Sequence, residues 1–428
     1  MKKIVALLLA VVMVFAMTAC GAKTETAPAA EAAPAAEAAP AAEAAPAAEA
    51  APAEEAAPAE EAAPAEEAAP AVDYDAIPDE MTAADGKYPI AMVTDVGQLK
   101  DHSFNEGIWN GTKTYASQNG IAYKYYQPAN GSEATDDDRY DAMKSAVENG
   151  AEVVVCCGFL SGTAISKAAE EFPEVKWIYV DGSACADSTG AIMNNTIGIT
   201  FKEEQCGYFA GYACVKDGLT ELGFAGGGGG TTPACCRYGY GFVQGANDAA
   251  KEMGVNVNMK YSWLYGSSFS ASAELETMLN GWYEAGTECV FPCGGAMYLS
   301  CFSAAAANDC WALGVDSDQS GDSETVLTSP LKGLANATQW ALGEYFNGGW
   351  DAIGGTSPVM GVAEDCISLP TNAESWRFST FTVEEYEAMV EAVKAGELTI
   401  DDQYPEIDGN VDAMDKAEFS NVTIQYVK

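Results

Sequence analysis

Histidine is almost absent: His102 is the only one in 428 residues. A histidine-rich metal cluster is thereby excluded, and an imidazole general base has one candidate position. Basic residues are also scarce, 21 Lys and Arg against 63 Asp and Glu, for a formal net charge of −42. So acidic a surface repels phosphate backbones and anionic lipid headgroups, which argues against nucleic acid as a partner. There are 13 cysteines, yet none has Cys-x-x-Cys spacing, and neither a metal site nor a cofactor is expected. Beyond the N-terminus no apolar run approaches the ~20 residues that span a bilayer. The five glycines Gly226 to Gly230 are not followed by Gly-Lys-Ser/Thr, which argues against a nucleotide-hydrolysing loop. They read as a flexible loop at a strand's end, near a cleft.

What is present begins with a targeting segment. Lys2-Lys3, an apolar run from Ile4 to Met17 and the small-residue site Thr18-Ala19-Cys20-Gly21 form a secretory signal over residues 1–19. The Ala-Cys-Gly junction resembles a lipobox. That resemblance implies lipidation of Cys20 and anchoring to the outer face of a bacterial cytoplasmic membrane; an ordinary signal peptide or an uncleaved anchor is the alternative. Residues 20–85 read as a tether, mostly a hexad that drifts from Ala-Pro-Ala-Ala-Glu-Ala to Ala-Pro-Ala-Glu-Glu-Ala. Proline every six residues blocks a continuous helix, and no large apolar side chain offsets the entropy of ordering. Export favours disulfides. Many of the remaining cysteines, Cys156-Cys157 among them, nevertheless sit in apolar strands or small-residue helices, where a reduced thiol acts as a small hydrophobe.

From Tyr88 onward the pattern alternates. Strands at 89–93, 121–126, 153–157, 177–180 and 194–201 interleave with helices that begin near 103 and span 136–149, 161–171 and 203–215. A second series follows, with strands at 222–225, 257–261, 289–291 and 311–315 between helices at 240–253, 272–285 and 297–308. Repeated βα units predict an α/β fold of doubly wound, mostly parallel sheets, and there are too many units for one open sheet. Two lobes with crossovers near Phe201, Ser329 and Val359 give a two-lobed type I periplasmic-binding-protein architecture. Its lobe 1 takes residues 86–201 and 330–358, and its lobe 2 takes 202–329 and 359–428. A single TIM barrel is the rival.

The first βα junction concentrates binding chemistry. In open α/β sheets, crevices lie outside the carboxyl ends of the strands, and Asp95, Phe104 and Asn105 follow the first strand. Ser103 and Glu106 have the spacing of a capping box. A capped loop with Phe104 in the core is the plainer alternative. The run Met92-Val93-Thr94-Asp95-x-Gly97-x-x-x-Asp101-x-Ser103-Phe104-Asn105-x-x-x-Trp109-x-Gly111 resembles the opening motif of the basic membrane protein family, PnrA-like purine-nucleoside-binding lipoproteins of ABC importers. Val180-Asp181-Gly182, Gly239-Tyr240-Gly241-Phe242, Gly294-Gly295, Val315-Asp316-Ser317-Asp318 and Leu331-Lys332 resemble later motifs in family order, so the likeness spans about residues 88–370.

The resemblance implies a ligand pocket of Asp95, Phe104 and Asn105 from one lobe, Phe269, Gly294 and Asp316 from the other, and Lys332 beside a crossover. Phe104 and Phe269 would sandwich a base, each face contributing ~1–3 kcal/mol. Asp95 and Asp316 would accept from ribose hydroxyls, Lys332 would balance them, and Asn105 would read the base edge. Three places depart from the family: Thr163 stands where a carboxylate is usual, Tyr298 replaces a small residue, and Ser268-Phe269-Ser270-Ala271 stands where the family has Phe-x-Asp-Pro. The implied function is solute capture for an ABC permease and its ATPase, by a monomer without catalysis. The alternatives are a ligand-sensing surface lipoprotein that signals to a membrane receptor, and a nucleoside hydrolase relying on His102 or on Asp316 with Asp318.

Overall fold

The computed structural model describes residues 72–96, 98–404, 414 and 418–428; Cys20, the signal segment and the hexad repeat lie outside them. The central strands are runs of small and β-branched side chains with no exposed surface, the mark of a sheet covered on both faces. The first sheet takes β1 (Glu80–Met81), β2 (Ile90–Val93), β3 (Tyr123–Tyr126), β4 (Val153–Cys157), β5 (Lys176–Val180) and β6 (Thr196–Phe201). The second takes β7 (Glu221–Gly226), β8 (Val257–Ser262), β9 (Cys289–Cys293), β10 (Trp311–Leu313) and β11 (Val326–Thr328). The chain then crosses back through β12 (Leu331–Lys332), adds β13 (Val359–Met360) to the first sheet, and crosses again through β14 (Ile367–Ser368). It ends as β15 (Val422–Val427) in the second sheet.

The strand orders are β1-β3-β2-β4-β5-β6-β13 and β11-β10-β9-β7-β8-β15. Every pairing in the two sheets is parallel except β1 with β3. Two open sheets, not a closed barrel, therefore make up the described body, and the two-lobed expectation is met. The third crossover follows Met360, next to Val359, because β13 still pairs with β6. β12 and β14, two of the crossover segments, pair antiparallel with each other.

Helices α1 (Phe104–Gln118), α2 (Asp136–Glu148) and α3 (Gly162–Glu171) belong to lobe 1, and α4 (Glu203–Lys216), α5 (Pro233–Met253), α6 (Ala273–Glu284) and α7 (Tyr298–Ala307) to lobe 2. After the return crossover come α8 (Leu334–Phe346) and α9 (Trp350–Ile353), and α10 (Val383–Lys394) packs near α4. Side chains alternate along β2 as a pleated strand requires. Ile90 and Met92 join the core beneath α1 and α8, while Ala91 and Val93 join the core beneath α2 and α3. The first of these cores continues into lobe 2 through α4 and α5. No two described cysteines are joined in a disulfide, and all but Cys236 and Cys310 are buried.

Helix α5 begins at Pro233, seven residues before the expected start at 240, because proline suits the first helical turn. That extension puts Arg237 and Tyr238 on a helix. α4 and α5 pack backbone against backbone through glycine. A Cβ on Gly207 or Gly211 would fall 2.1 or 2.0 Å from the carbonyl oxygens of Tyr238 and Phe242, and one on Gly241 or Gly245 would fall 2.0 Å from those of Glu204 and Tyr208. Gly211→Ala is therefore expected to destabilise the protein by about 1–3 kcal/mol through overpacking. Gly281→Ala, in α6 with nothing within 4 Å of the added carbon, is expected to be neutral or to stabilise by about 0.5–1 kcal/mol. Urea denaturation of the two variants reads the contrast.

Candidate functional site

The lobe 1 wall is built where β2 ends. Asp95 is buried, and its Oδ1 accepts from the Val96 amide (2.6 Å) and from Asn105 Nδ2 (3.1 Å). Its Oδ2 lies against Gly158, where any Cβ would stand 2.4 Å away. Asn105 spends its other amide proton on Asp101 Oδ2 at 3.0 Å. Its side chain thus braces two carboxylates and has no amide proton left to read a base. The expected Ser103–Glu106 capping box does not form. Asp101 instead accepts from the amides of Ser103, Asn105 and Glu106 at 3.0–3.1 Å, closing the start of α1. Burial pushes the Asp101 carboxyl up to about 6 against those bonds.

The lobe 2 wall depends on glycine. Phe269 holds a left-handed backbone, φ 54°, and its ring rests on Gly227, where a Cβ would meet it at 2.6 Å, and on Gly294 at 3.0 Å. The glycine run therefore gives room to an aromatic ring, beyond any flexibility it confers. Asp316 is also left-handed, φ 63°. Its Oδ2 accepts from Ser103 Oγ across the cleft at 2.8 Å and its Oδ1 from the Tyr238 hydroxyl at 3.3 Å. Burial raises the carboxyls of Asp95 and Asp316 above the usual range. Tyr298 opens α7 and is buried, its ring tilted against Phe302.

Between the walls lies a charge network at the crossovers. Lys332, on β12, has a side chain that is 1% exposed. Its Nζ sits 2.6 Å from Asp181 Oδ1, 2.7 Å from Asp181 Oδ2 and 2.9 Å from Glu203 Oε1. Glu203 accepts in turn from Arg237 Nε at 2.6 Å. Burial pushes the Asp181 carboxyl up, with Lys332 pulling against it, to about 6. Burial acts on Glu203 in the same sense, but Lys332 and Arg237 together outweigh it and hold that carboxyl below its ordinary value. Lys332 thus donates to Asp181 and lies in ion-pair contact with Glu203, so the cation expected to balance Asp95 and Asp316 is the centre of a different ion pair.

One cavity of about 300 Å³ collects these groups, at the lower end of the ~300–1,000 Å³ usual for small-molecule sites. Asp95, Phe104, Asn105, Phe269, Gly294, Tyr298, Asp316 and Lys332 all line it. Thr163 does not: it is exposed on α3, and Phe159 and Leu160 of the preceding turn line the cavity instead. Asp181, Asp101 and Tyr238 line it without having been expected. Asp181 was open to the same reasoning as Asp95, since each lies within two residues of the end of a parallel strand. Tyr238 was masked by the late start assigned to its helix.

The profile of the Bmp family, described as ABC transporter substrate-binding protein PnrA-like, matches residues 89–403. The ABC transporter nucleoside-binding protein BmpA of Lactococcus lactis subsp. cremoris (strain MG1363) is 29% identical over 265 residues, which is 56% of this chain and 70% of that protein. Basic membrane protein B of Borrelia garinii subsp. bavariensis is 26% identical over 308 residues, 70% of this chain and 85% of that one. A solved ABC transporter solute-binding protein from Aeropyrum pernix K1 shares the fold, with a TM-score of 0.61 at 19% identity, covering 76% of this chain and 99% of its own.

Lys332→Met would strand the buried Asp181 carboxylate without its cation and leave Glu203 to Arg237 alone. It is expected to cost about 3–5 kcal/mol, the usual effect of breaking a buried pair, seen as a lower urea midpoint. Adding Asp181→Asn to that variant is expected to recover part of the loss.

Proposed function

This chain belongs to the Bmp family of PnrA-like ABC transporter substrate-binding proteins, and we propose that its cleft captures a nucleoside, a purine by preference. Members of this family bind solute and do not turn it over. The observation that carries the reading is the single cavity lined from one lobe by Phe104 and Asp95 and from the other by Phe269 and Asp316. Two phenyl groups suit a flat heterocycle, and base–aromatic stacking contributes ~1–3 kcal/mol per face. Carboxylates that accept only hydrogen bonds suit hydroxyls and ring N–H groups. The relative from Lactococcus lactis, a nucleoside-binding protein by name, supports the same class.

Within that reading the residue roles shift from those the resemblance implied. Asn105 orients Asp95, whose Oδ2 is the acceptor for a base edge. Asp316 takes a sugar hydroxyl on acceptor positions that Ser103 and Tyr238 leave open, since a carboxylate offers about four. Thr163 has no part. The protein works outside the cytoplasm on a lipid at Cys20, with the Ala/Pro/Glu tether lifting the body toward solute, and delivers it to a permease driven by a separate ATPase. The family resemblance, the signal pattern and the lipobox support that placement. Ser103–Asp316 and the Lys332 network support a cleft that closes on its guest, because a ligand touching both lobes binds the closed form selectively.

Calorimetry on the full chain is expected to show micromolar or tighter binding of a purine nucleoside with no product by chromatography. Phe104→Ala and Asp316→Ala should each weaken it about tenfold or more, ~1.4 kcal/mol, while Thr163→Ala leaves it unchanged. Flat titrations with every nucleoside would send the search to other polyhydroxylated solutes. Cys20→Ser should move the protein from the membrane to the soluble fraction.

A further inference from the structure

Three contacts cross the cleft rim between one short segment of lobe 1 and one loop of lobe 2. Ser103 Oγ donates to Asp316 Oδ2 at 2.8 Å, Gln319 Nε2 donates to the His102 carbonyl at 2.9 Å, and His102 Nδ1 lies 3.0 Å from Asp322 Oδ1. The lobe 2 loop is pinned from its own side. Arg377 donates to the carbonyls of Ser320 and Ser323 at 2.9 Å each, and the Gln319 amide donates to Ser329 Oγ at 3.1 Å. The lobe 1 segment is pinned as well, by the Asp101 cap and by Glu106 Oε2, which accepts from the His102 amide at 2.8 Å. His102 holds φ 51°, a left-handed conformation uncommon for side-chain-bearing residues. From it, both the carbonyl and the ring reach the opposite lobe. Of the three contacts only His102–Asp322 contains an imidazole, whose ordinary range spans neutral pH, and His102 is the only histidine in the chain; Asp316, in the Ser103 contact, is a buried carboxyl raised above its usual range.

We propose that His102 and Asp322 form an interlobe latch that holds the cleft shut when the imidazole is protonated, making solute capture tighter in acid than in alkaline medium. The groups facing the imidazole are Asp322 from the opposite loop and Asp101 and Glu106 from its own segment; the Tyr298 hydroxyl of α7 lies in the field of the same three carboxylates. Lys100, the neighbouring cation, is paired with Asp79 at 3.3 Å. Partial burial pulls the imidazole down, but the Asp322 bond and the charges of Asp322, Glu106 and Asp101 outweigh it and lift it above its ordinary value. A group raised in the closed form contributes its full stabilisation below its open-state value, and that stabilisation is lost as pH climbs through the raised one. His102 is 56% exposed, so salt screens the pair and the latch is modest and adjustable.

Asp101 titrates near the same pH, so bulk pH dependence alone does not isolate the latch. The single histidine does. In the full chain labelled with ¹³C at histidine, one imidazole resonance should titrate above the ordinary ~6.5, and Asp322→Asn should lower its midpoint by about half a unit or more. An identical midpoint in both proteins overturns the latch. The consequence for affinity rests on the proposed nucleoside capture. There, the ratio of dissociation constants at about pH 8 to those at about pH 5.5 should be about threefold larger in the parent than in His102→Gln, the equivalent of a half-unit shift. Equal ratios overturn the acid tightening. If no nucleoside binds the parent at either pH, the functional reading fails, and the resonance still decides the latch.

Discussion

The ammonium of Lys332 is the group on which the architecture turns. Removing such a charge from water costs several kcal/mol, and attraction to well-placed carboxylates must return it. Those carboxylates come from different parts of the chain: Asp181 follows β5 in lobe 1, and Glu203 starts α4 just past the first crossover. Glu203 is held in turn by Arg237 of α5 in lobe 2. The strand ends of one lobe, the crossovers and the first helices of the other lobe must therefore arrive together. The crossovers are also tied by the β12–β14 pairing and by Cys206, whose thiol approaches the carbonyls of Leu331 and Ser368 at 3.4 and 3.3 Å. Glycine makes this convergence possible, because α4 and α5 lie close enough to place Glu203 and Arg237 in contact only without Cβ atoms at their crossing.

That commitment sets the character of the cavity. With Lys332 bound to protein carboxylates and Lys100 paired with Asp79, the groups left to face a guest are carboxylates, the rings of Phe104, Phe269, Tyr238 and Tyr298, and mostly apolar side chains. Such a lining favours a neutral molecule rich in donors and disfavours a phosphate ester, whose negative charge would meet buried carboxylates without an uncommitted cation. Closure then has a physical basis in differential contact. Asp95 and Asp316 lie on opposite walls, so only the closed arrangement lets one guest reach both, and a ligand shifts the equilibrium by no more than that difference.

Much of this was legible in the sequence, for reasons that also explain what was not. Strands such as Val153–Cys157 announce themselves because burial on both faces leaves a continuous apolar run, and the guest-facing residues of lobe 1 follow such a strand directly. The register of charge was harder to see. Ser103 and Glu106 have the spacing of a cap, yet Asp101 closes the helix, because a carboxylate two residues earlier reaches more amides and frees Ser103 to cross the cleft. Lys332 was readable as a pocket cation, but its partners are 151 and 129 positions away in sequence, beyond any local spacing rule. Thr163 stood out by comparison with a family pattern; its place on the exposed face of α3 depends on where a short turn ends, and terminal turns are the least legible part of a helix. The last strand, Val422–Val427, follows a long segment with few strand signals and is stabilised by pairing with β8, a tertiary effect.

Backbone strain gathers where the guest would sit. Eight described residues other than glycine have positive φ, and His102, Asp181, Phe269 and Asp316 are among them. Each such conformation costs of order ~1–3 kcal/mol and persists only where its surroundings over-determine it. Here the Lys332 ion pair holds Asp181, Gly227, Gly228, Gly294 and Gly295 leave room for Phe269, and bonds from Ser103 and Tyr238 hold Asp316. Those four of the eight present a charge or an aromatic face to the cleft or its rim. Folding thus absorbs the ordering cost before any guest arrives. A ligand that meets side chains already aimed loses less of its binding energy to organising them, which is what a capture protein working on dilute solute requires.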